Sequence, residues 1–143
     1  MADITFAGMD DLIRALDAAG AMDEDTVRDV LNAGADVAVE EIRKEIRRSR
    51  FKISDYAPHV KKGKVSRSKG GDPKISVTVS GTNDHGERRG TVLFVLNYGR
   101  RSSDPHGAIQ PGYFWTTATR KAQAQAAKAM EDVISKKLKE EGL

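Results

Sequence analysis

The residue types that could support catalysis lie close together in the sequence, without the spacing that catalysis needs. The stretch 102–106 contains Ser, Asp and His within five positions. Catalytic triads are assembled from distant segments around a rigid turn, so this stretch is more typical of a turn. Gly63-Lys64 is reminiscent of a phosphate-binding loop, but Val65 stands where the magnesium-binding hydroxyl is needed. Neither pattern predicts a catalytic or nucleotide-binding site.

Metal-binding residues are equally sparse. The chain has no cysteine, which excludes disulfides, thiolate nucleophiles and cysteine-based zinc sites. It has three histidines, each in a polar stretch rich in Gly or Pro, and a three-histidine metal site would need separate loops to converge. The acidic pairs 10–11 and 40–41 are neighbours in sequence and would point about 100° apart on a helix. We therefore expect no enzyme activity, no metal and no cofactor.

The strongest chemical signal is an uneven distribution of charge. Residues 1–42 contain two basic and eleven acidic side chains, a net charge of −9, whereas residues 43–74 contain twelve basic and three acidic ones, a net charge of +9. Such segregation predicts nucleic-acid contact, or self-assembly in which the acidic face of one copy meets the basic face of the next. A solvated loop with lysines that confer solubility would give the same pattern. The candidate partner-binding cations are Lys61, Lys62, Lys64, Arg67, Lys69, Arg100 and Arg101.

Length and composition set the frame that must position these residues. The 143 residues, 38% of them hydrophobic, suit a single domain over 1–143 that buries its own core. No apolar run approaches the roughly 18–20 residues that span a bilayer, and the first residues lack the basic and apolar regions of a secretion signal. The sequence therefore predicts a soluble protein of a reducing compartment, with no membrane partner.

Three helices are predicted from apolar spacing and capping residues. The first is short and spans 8–16, and the third runs from about Tyr113 to Glu141. The second begins after Met22, with Asp23 or Asp25 as its cap. Its apolar stripe is Val27, Val30, Leu31, Ala35, Ala38, Ile42 and Ile46. The stripe of the third helix is Phe114, Ala118, Ala122, Ala126, Ala129, Val133, Ile134 and Leu138.

The middle of the chain changes to a period of two. Ile75, Val77 and Val79 alternate with polar residues and predict a half-buried strand, followed by turn residues at 81–86 that favour a hairpin. The stretch 91–98 is apolar on both faces and could be a buried strand or a short buried helix. The fold class is α+β, with a small antiparallel sheet packed against a long N-terminal helix and a long C-terminal helix. Mobile loops are predicted at about 51–73 and 99–112.

Nucleic-acid binding is the main alternative function. The cationic segment 43–69 could neutralise several phosphates. Only Phe51 and Tyr56 interleave with its basic residues, however, so it has no stacking platform of the kind found in single-strand binders. No helix-turn-helix or RNA-recognition signature is present. The pattern favours non-specific contact over sequence-specific readout.

Four short motifs, in order along nearly the whole chain, resemble those of a phage family. They lie at 6–12, at 57–58 with 63–65, at 97–99 and at 110–118. The family is the tail-component family typified by the gene-ten product of phage Hong Kong 97, whose members are tail-completion or head–tail joining proteins. The motif residues that the resemblance assigns to structure are Gly8, Leu12, Pro58, Gly63, Asn97, Tyr98, Gly99, Pro111, Phe114 and Ala118. Four positions depart from the family pattern: Lys62, Asn97, Arg100 and Thr117, which replace Thr, an acidic residue, Thr and Pro.

The resemblance implies a structural virion protein of the head–tail interface, made in the bacterial host cytoplasm. It implies a ring, hexameric in the particle, that docks the tail to the connector. The expected partners are other copies of the chain, the portal-side connector and the tail-tube proteins. The basic loop 61–69 would order against an acidic partner surface or line the lumen through which DNA passes. The alternative is a small basic nucleic-acid-associated protein that uses the segment 43–69.

Overall fold

The computed structural model describes Gly20 and residues 23–140. The predicted first helix, which contains Gly8 and Leu12, lies outside the described residues. The described elements, in chain order, are α1 (Glu24–Arg48), a 3-10 helix (Ser54–His59), β1 (Val60–Lys62), β2 (Ser66–Arg67), β3 (Pro73–Lys74), β4 (Val77–Val79), α2 (Arg89–Tyr98) and α3 (Phe114–Glu140).

Helix α1 begins where the sequence predicts, with Asp23 rather than Asp25 as its cap. The Oδ1 atom of Asp23 accepts a hydrogen bond from the backbone N–H of Thr26 at 2.7 Å, which satisfies one of the free N–H groups of the first turn. Arg47 and Arg48 place positive charge in the last turn, at the negative end of the helix dipole. All seven residues of the predicted apolar stripe are buried.

Helix α3 packs antiparallel against α1 through small side chains. Ala118, Ala122 and Ala126 are almost completely buried, which lets the two helices approach closely. The antiparallel direction brings Lys121, near the start of α3, within 2.7 Å of Glu45 near the end of α1. Further along α3 the predicted stripe is only partly buried, since Met130 rather than Ala129 is fully covered and Leu138 is 40% exposed.

The sheet is small and antiparallel, as predicted. Strand β1 pairs with β4, with Val60 opposite Val79, and β2 pairs with β3 in a separate two-stranded ribbon. Arg43 of α1 fixes the start of β1, since its guanidinium donates to the carbonyl of Ala57 at 3.1 Å and to that of Val60 at 2.8 Å. The α+β fold class, with the sheet set against two long helices, is confirmed.

The segment 51–73 contains more regular structure than its composition indicates. It includes the 3-10 helix, β1, β2 and the start of β3, because its main chain pairs with β4 and its own hairpin closes through a hydrogen bond from Ser68 N to Asp72 O at 2.8 Å. Long-range backbone pairing of this kind leaves no periodic pattern in a segment rich in Gly, Ser and Lys. The predicted mobility of this segment stays a prediction.

The stretch 91–98, which is apolar on both faces, forms part of a helix, α2, and not a strand. The preceding turn does close, because the Oδ1 atom of Asn83 accepts from the backbone N–H groups of His85 and Glu87 at 2.9 Å each. One antiparallel bridge, between Thr82 before the turn and Arg88 after it, closes that turn. The chain then enters the helix, so the predicted hairpin is limited to this bridge.

Candidate functional site

The seven predicted partner-binding cations fall on two segments that β3, β4 and α2 separate along the chain. Arg100 and Arg101 lie in the irregular segment between α2 and α3. The other five lie along β1, the connection to β2, β2 itself and the hairpin turn after it, a surface that we call the basic ribbon: Lys61, Lys62, Lys64, Arg67 and Lys69. The candidate site is therefore two surfaces and not one.

Two cations of the basic ribbon are paired with acidic residues of α1. The Nζ atom of Lys62 lies 2.8 Å from Oδ1 of Asp36, because alternation along β1 turns Lys62 to the side of Val60, towards the helix. The guanidinium of Arg67 pairs with the carboxylate of Glu24. Part of the charge segregation seen in the sequence is thus neutralised within one molecule. Partner contact by these two side chains would compete with ion pairs that already exist.

The remaining three cations of the basic ribbon are Lys61, Lys64 and Lys69, which we call the free lysines. All three are exposed, and no ion pair reaches them within the described part of the chain. Gly63 continues the strand pairing, since its N–H donates to Ser76 O at 2.7 Å. A Cβ at Gly63 would lie an ordinary 3.5 Å from that oxygen, so this position does not require glycine sterically.

The basic ribbon runs antiparallel to α1, from the second half of the helix towards its N-terminus. Val60 is held by Arg43, Lys62 pairs with Asp36, and Arg67 pairs with Glu24 at the start of the helix. The free lysines are therefore carried on a strand and a hairpin that run from the second half of α1 to its N-terminal end. Pro58, a predicted motif residue, lies exposed in the 3-10 helix that precedes this run.

The second predicted group is held by its own segment. Arg100 forms a two-way backbone bridge with Ile109, at 2.9 and 3.1 Å, and its guanidinium donates to the carbonyl of His106 at 3.2 Å. Its Nε atom is buried and has no hydrogen-bond partner. Arg101 is exposed. The hydrogen bonds of Arg100 therefore stabilise its own segment, whereas the charged group of Arg101 is exposed to solvent.

Asn97 joins the end of α2 to the start of α3. Its side chain is fully buried, and its Oδ1 atom accepts from the backbone N–H groups of Trp115 at 3.0 Å and Thr116 at 3.3 Å. Its Nδ2 atom donates to Oγ1 of Thr116 at 3.1 Å. The amide therefore satisfies free N–H groups of the first turn of α3. The predicted motif residue Asn97 therefore has a structural role, because its Oδ1 atom caps the N-terminus of α3.

Gly99 and Pro111 complete this junction. Gly99 has a φ of 78°, and an added Cβ would lie 2.5 Å from the carbonyl oxygen of Ile109 and 3.0 Å from the ring of Pro111. The N–H of Gly112 then donates to Leu96 O at 2.9 Å. The motif residues Asn97, Gly99 and Pro111 meet in space because they bind α2 to α3. Phe114 and Ala118 are buried in the core, whereas Tyr98 is exposed.

Sequence reasoning missed the outward face of α2. Leu93 points into the core, but Phe94 and Tyr98 are each 54% exposed, and their ring centroids lie 4.9 Å apart. The prediction that 91–98 is a buried element is therefore wrong for this face. The signal was present in the sequence, since a helix with apolar residues on both sides needs two apolar surfaces to cover it.

Two grooves flank the α2 face. One lies against the chain at Val79 and Gly81 and has a volume of about 510 Å³. The other lies against the bridge between Arg100 and Ile109, is lined in part by Val92, and has a volume of about 450 Å³. Concave surface on both sides of an exposed aromatic pair is typical of a protein interface.

The structure gives no metal chemistry to this surface. Within residues 23–140, no three His, Asp or Glu side chains are grouped closely enough to hold a metal ion. The stretch 102–106 forms a turn, in which Asp104 Oδ1 accepts from the N–H of His106 at 2.8 Å. Among the described helices, none has the length and apolar character needed to cross a membrane.

Comparison with known families gives one match. Residues 10–98, well over half of the chain, match the family model described as "Bacteriophage HK97-gp10, putative tail-component". The matched range covers α1, the sheet, the basic ribbon and α2, and ends just before Gly99. No curated protein and no solved structure matches the chain.

Proposed function

The chain belongs to the HK97-gp10 family of bacteriophage tail components, and from this membership we propose that it is a head–tail joining, or tail-completion, adaptor. As a tail component it is a structural protein of the virion, and its partners are other phage structural proteins. The proposal assigns it a place in the neck, between the portal-side connector and the tail tube. It assigns no catalytic step and no cofactor to the chain, and it places synthesis in the host cytoplasm.

The positions of the two candidate surfaces support a joining role. The hairpin end of the basic ribbon lies at the start of α1, whereas α2 and the segment 99–112 lie where α1 ends and α3 begins. Helix α1 has 25 residues, which corresponds to about 37 Å at 1.5 Å per residue. A protein that connects two neighbours needs surfaces that are separated in this way.

The proposed assembly is a hexameric ring. A ring closes when the same head-to-tail contact repeats with a closing rotation, and a chain with different surfaces at its two ends suits such a contact. The ion pairs from Lys62 to Asp36 and from Arg67 to Glu24 hold the ribbon against its own helix. The free lysines are therefore the cations of the ribbon that remain for a neighbour.

The observation that carries the docking role is the exposure of Lys61, Lys64 and Lys69 without ion pairs in the described part of the chain. Cations in this state on a structured ribbon are available to an acidic partner surface at little cost in stability, because exposed charges contribute only about 0–1 kcal/mol each to folding. We propose that these three lysines dock the adaptor to its neighbour.

Charge reversal tests this role. The variant Lys61→Glu/Lys64→Glu/Lys69→Glu is expected to fold normally and to fail in joining heads to tails. The measurement is complementation of phage that lack the protein, with joined particles counted by electron microscopy and folding checked by circular dichroism. Lys62 is left unchanged, because its reversal would also break the pair with Asp36.

The matched control reverses three exposed lysines of α3: Lys128→Glu/Lys136→Glu/Lys139→Glu. It changes the net charge by the same amount and is expected to join heads and tails normally. Equal numbers of joined particles from the two triple variants would contradict the docking role of the free lysines. Normal joining in phage without the protein would contradict the adaptor function itself.

The same three lysines support a second candidate function, non-specific contact with DNA. A surface that neutralises about three phosphates would give a salt dependence of affinity with a slope of about −3 in log–log form. Purified protein titrated with duplex DNA at increasing salt distinguishes the two functions. A steep, lysine-dependent affinity supports DNA contact, and negligible affinity supports docking to protein.

A further inference from the structure

We infer that the outward face of α2 is a docking surface for an acidic amphipathic segment of another tail protein. The inference uses the membership of the tail-component family and does not depend on the joining role or on the basic ribbon. The face consists of the exposed pair Phe94 and Tyr98 together with the two grooves beside them. Its occupant is defined by two requirements, one apolar and one electrostatic.

The apolar requirement follows from the exposure of α2. Phe94 and Tyr98, one turn apart, present two aromatic rings to solvent, and Val92 in the adjoining groove is only half-buried. Aromatic rings beside concave apolar surface are the usual anchors of protein interfaces. An occupant must therefore supply apolar side chains at a spacing that fits a groove along a helix, as an amphipathic segment does.

The electrostatic requirement follows from three arginines that frame this face. Arg88 precedes the helix, Arg100 and Arg101 follow it, and none of the three has an acidic partner among the described residues. Glu87 lines the same groove as Arg88 and Arg100, but its carboxylate already accepts a hydrogen bond from the side chain of Asn83 at 3.3 Å, and the three arginines outnumber it. The Nε atom of Arg100, which borders a groove, is buried and unpartnered. Carboxylates are the strongest complement of guanidinium groups, because the hydrogen bonds between them are charge-assisted. The occupant therefore carries acidic residues beside its apolar ones.

A second copy of the described surface fits these requirements poorly. Most acidic residues of α1 already have cationic partners within the chain: Glu24, Asp25, Asp36, Glu40, Glu41 and Glu45. Antiparallel packing of α2 against α2 would place Arg88 of one copy beside Arg101 of the other, and like charges at an interface are repulsive. Among the described residues, charge complementarity thus favours a different protein over a second copy as the occupant.

Photo-crosslinking in assembled particles tests the inference. The photoreactive residue p-benzoylphenylalanine replaces Phe94 in one variant and Leu138 in the control, since Leu138 is an exposed apolar residue on α3. Particles assembled with each variant are irradiated, and the crosslinked peptides are identified by mass spectrometry. The expected result is a crosslink from position 94, and not from position 138, to an acidic, apolar-striped segment of another virion protein.

Three results would overturn the inference: a crosslink from position 94 to a second copy of this chain, a crosslinked segment without carboxylates, and the absence of any crosslink specific to position 94. The joining role is scored separately in the same particles. Joined particles without the crosslink would refute the α2 surface alone, whereas a correct crosslink in a protein that is dispensable for joining would refute the adaptor function alone.

Binding of the crosslinked segment, made as a synthetic peptide, gives a second readout on purified protein. Fluorescence anisotropy is expected to show at least about tenfold weaker binding for Phe94→Ala/Tyr98→Ala and for Arg88→Glu/Arg101→Glu, a change of about 1.4 kcal/mol. Arg120→Glu, an exposed arginine on α3, is the control and is expected to bind normally. Equal affinity in all variants would overturn the inference even if a crosslink forms.

Discussion

The segments 51–73 and 99–112 look alike in sequence, since both are irregular and rich in Gly, Pro and cations, yet the molecule uses them differently. In the first, Arg43 anchors the main chain to α1 and the free lysines are left in solvent. In the second, the main chain is fixed on the end of α2, through Gly112 N to Leu96 O at 2.9 Å and Tyr113 N to Asn97 O at 3.1 Å.

The two segments therefore serve different purposes, one structural and one on the surface. The motif residues of the second segment build the junction between α2 and α3, and little of their chemistry is open to a partner. The first segment places most of its polar side chains outside the core, where a partner can reach them. Substitutions at Gly99 and Pro111 should therefore change stability, and substitutions at the free lysines should change assembly.

Loss of Asn97 is expected to have the largest effect on stability. Asn97→Leu removes the acceptor of one buried and one partly buried N–H group of α3, and each unsatisfied group costs about 1–3 kcal/mol. Urea unfolding should show a loss of about 3–4 kcal/mol. Thr119→Ala, beyond the first turn of α3 and half-buried, is the control, and an equal loss there would show that the junction is no more sensitive than the rest of the helix.

Gly99→Ala is expected to be next, at about 2–3 kcal/mol. The loss combines a positive φ with a Cβ only 2.5 Å from the carbonyl oxygen of Ile109. Gly107 has a similar φ of 91° and nothing within 4 Å, so Gly107→Ala should lose only about 1 kcal/mol. Thermal unfolding of both variants isolates the steric part. Equal losses would mean that the contact with Ile109 relaxes freely.

Loosening the anchor of the first segment should have a moderate effect. Arg43→Gln removes guanidinium hydrogen bonds to two carbonyls and is expected to cost about 1–2 kcal/mol. Hydrogen exchange should rise in 57–62 more than elsewhere, because those carbonyls belong to the 3-10 helix and β1. Arg47→Gln, one turn later and exposed, should cost less than about 1 kcal/mol through the helix dipole and leave hydrogen exchange in 57–62 unchanged. Uniform exchange across the chain in both variants would contradict the anchor.

The smallest expected effect is the pH dependence of the α1 cap. Hydrogen bonds from the side chain and then the backbone N–H of Thr26 hold the pKa of Asp23 below its ordinary value of 3.8. The stabilisation is therefore fully present above that value and is lost as the pH falls through the lower pKa of the folded state. Melting temperatures of wild type and Asp23→Asn should differ more at neutral pH than at the acidic end. A difference that is independent of pH would contradict an ionised cap.

The elements that could be predicted from the sequence are those with a local pattern. The stripe from Val27 to Ile46 and the alternation at Ile75, Val77 and Val79 each reflect burial on one side, which repeats with the period of the element. The pairing of β1 with β4 could not be predicted, because it depends on contacts between residues about twenty positions apart. The exposure of Phe94 was missed, although apolar residues on both sides of a helix require two covering surfaces, because the sequence does not identify what covers the second one.

The residues of the candidate site could be predicted from the sequence, but their contacts could not. The cations were identified, but their division into paired and free members depends on Lys62 and Arg67 reaching acidic residues of α1, which are distant in sequence. Asn97 and Gly99 were identified through resemblance. Their roles as a helix cap and a close-contact position emerge only when α3 returns to the end of α2.

The alanine stripe of α3 has a mechanical consequence. Ala118, Ala122 and Ala126 each offer only a methyl group to α1 and are buried almost completely, so the packed interface leaves little free volume into which either helix could move. We therefore expect α1 and α3 to move together as one rigid unit when force is applied to the protein. Tension or compression along the helix axes would then be taken up at the connecting segments and leave the helices themselves undeformed.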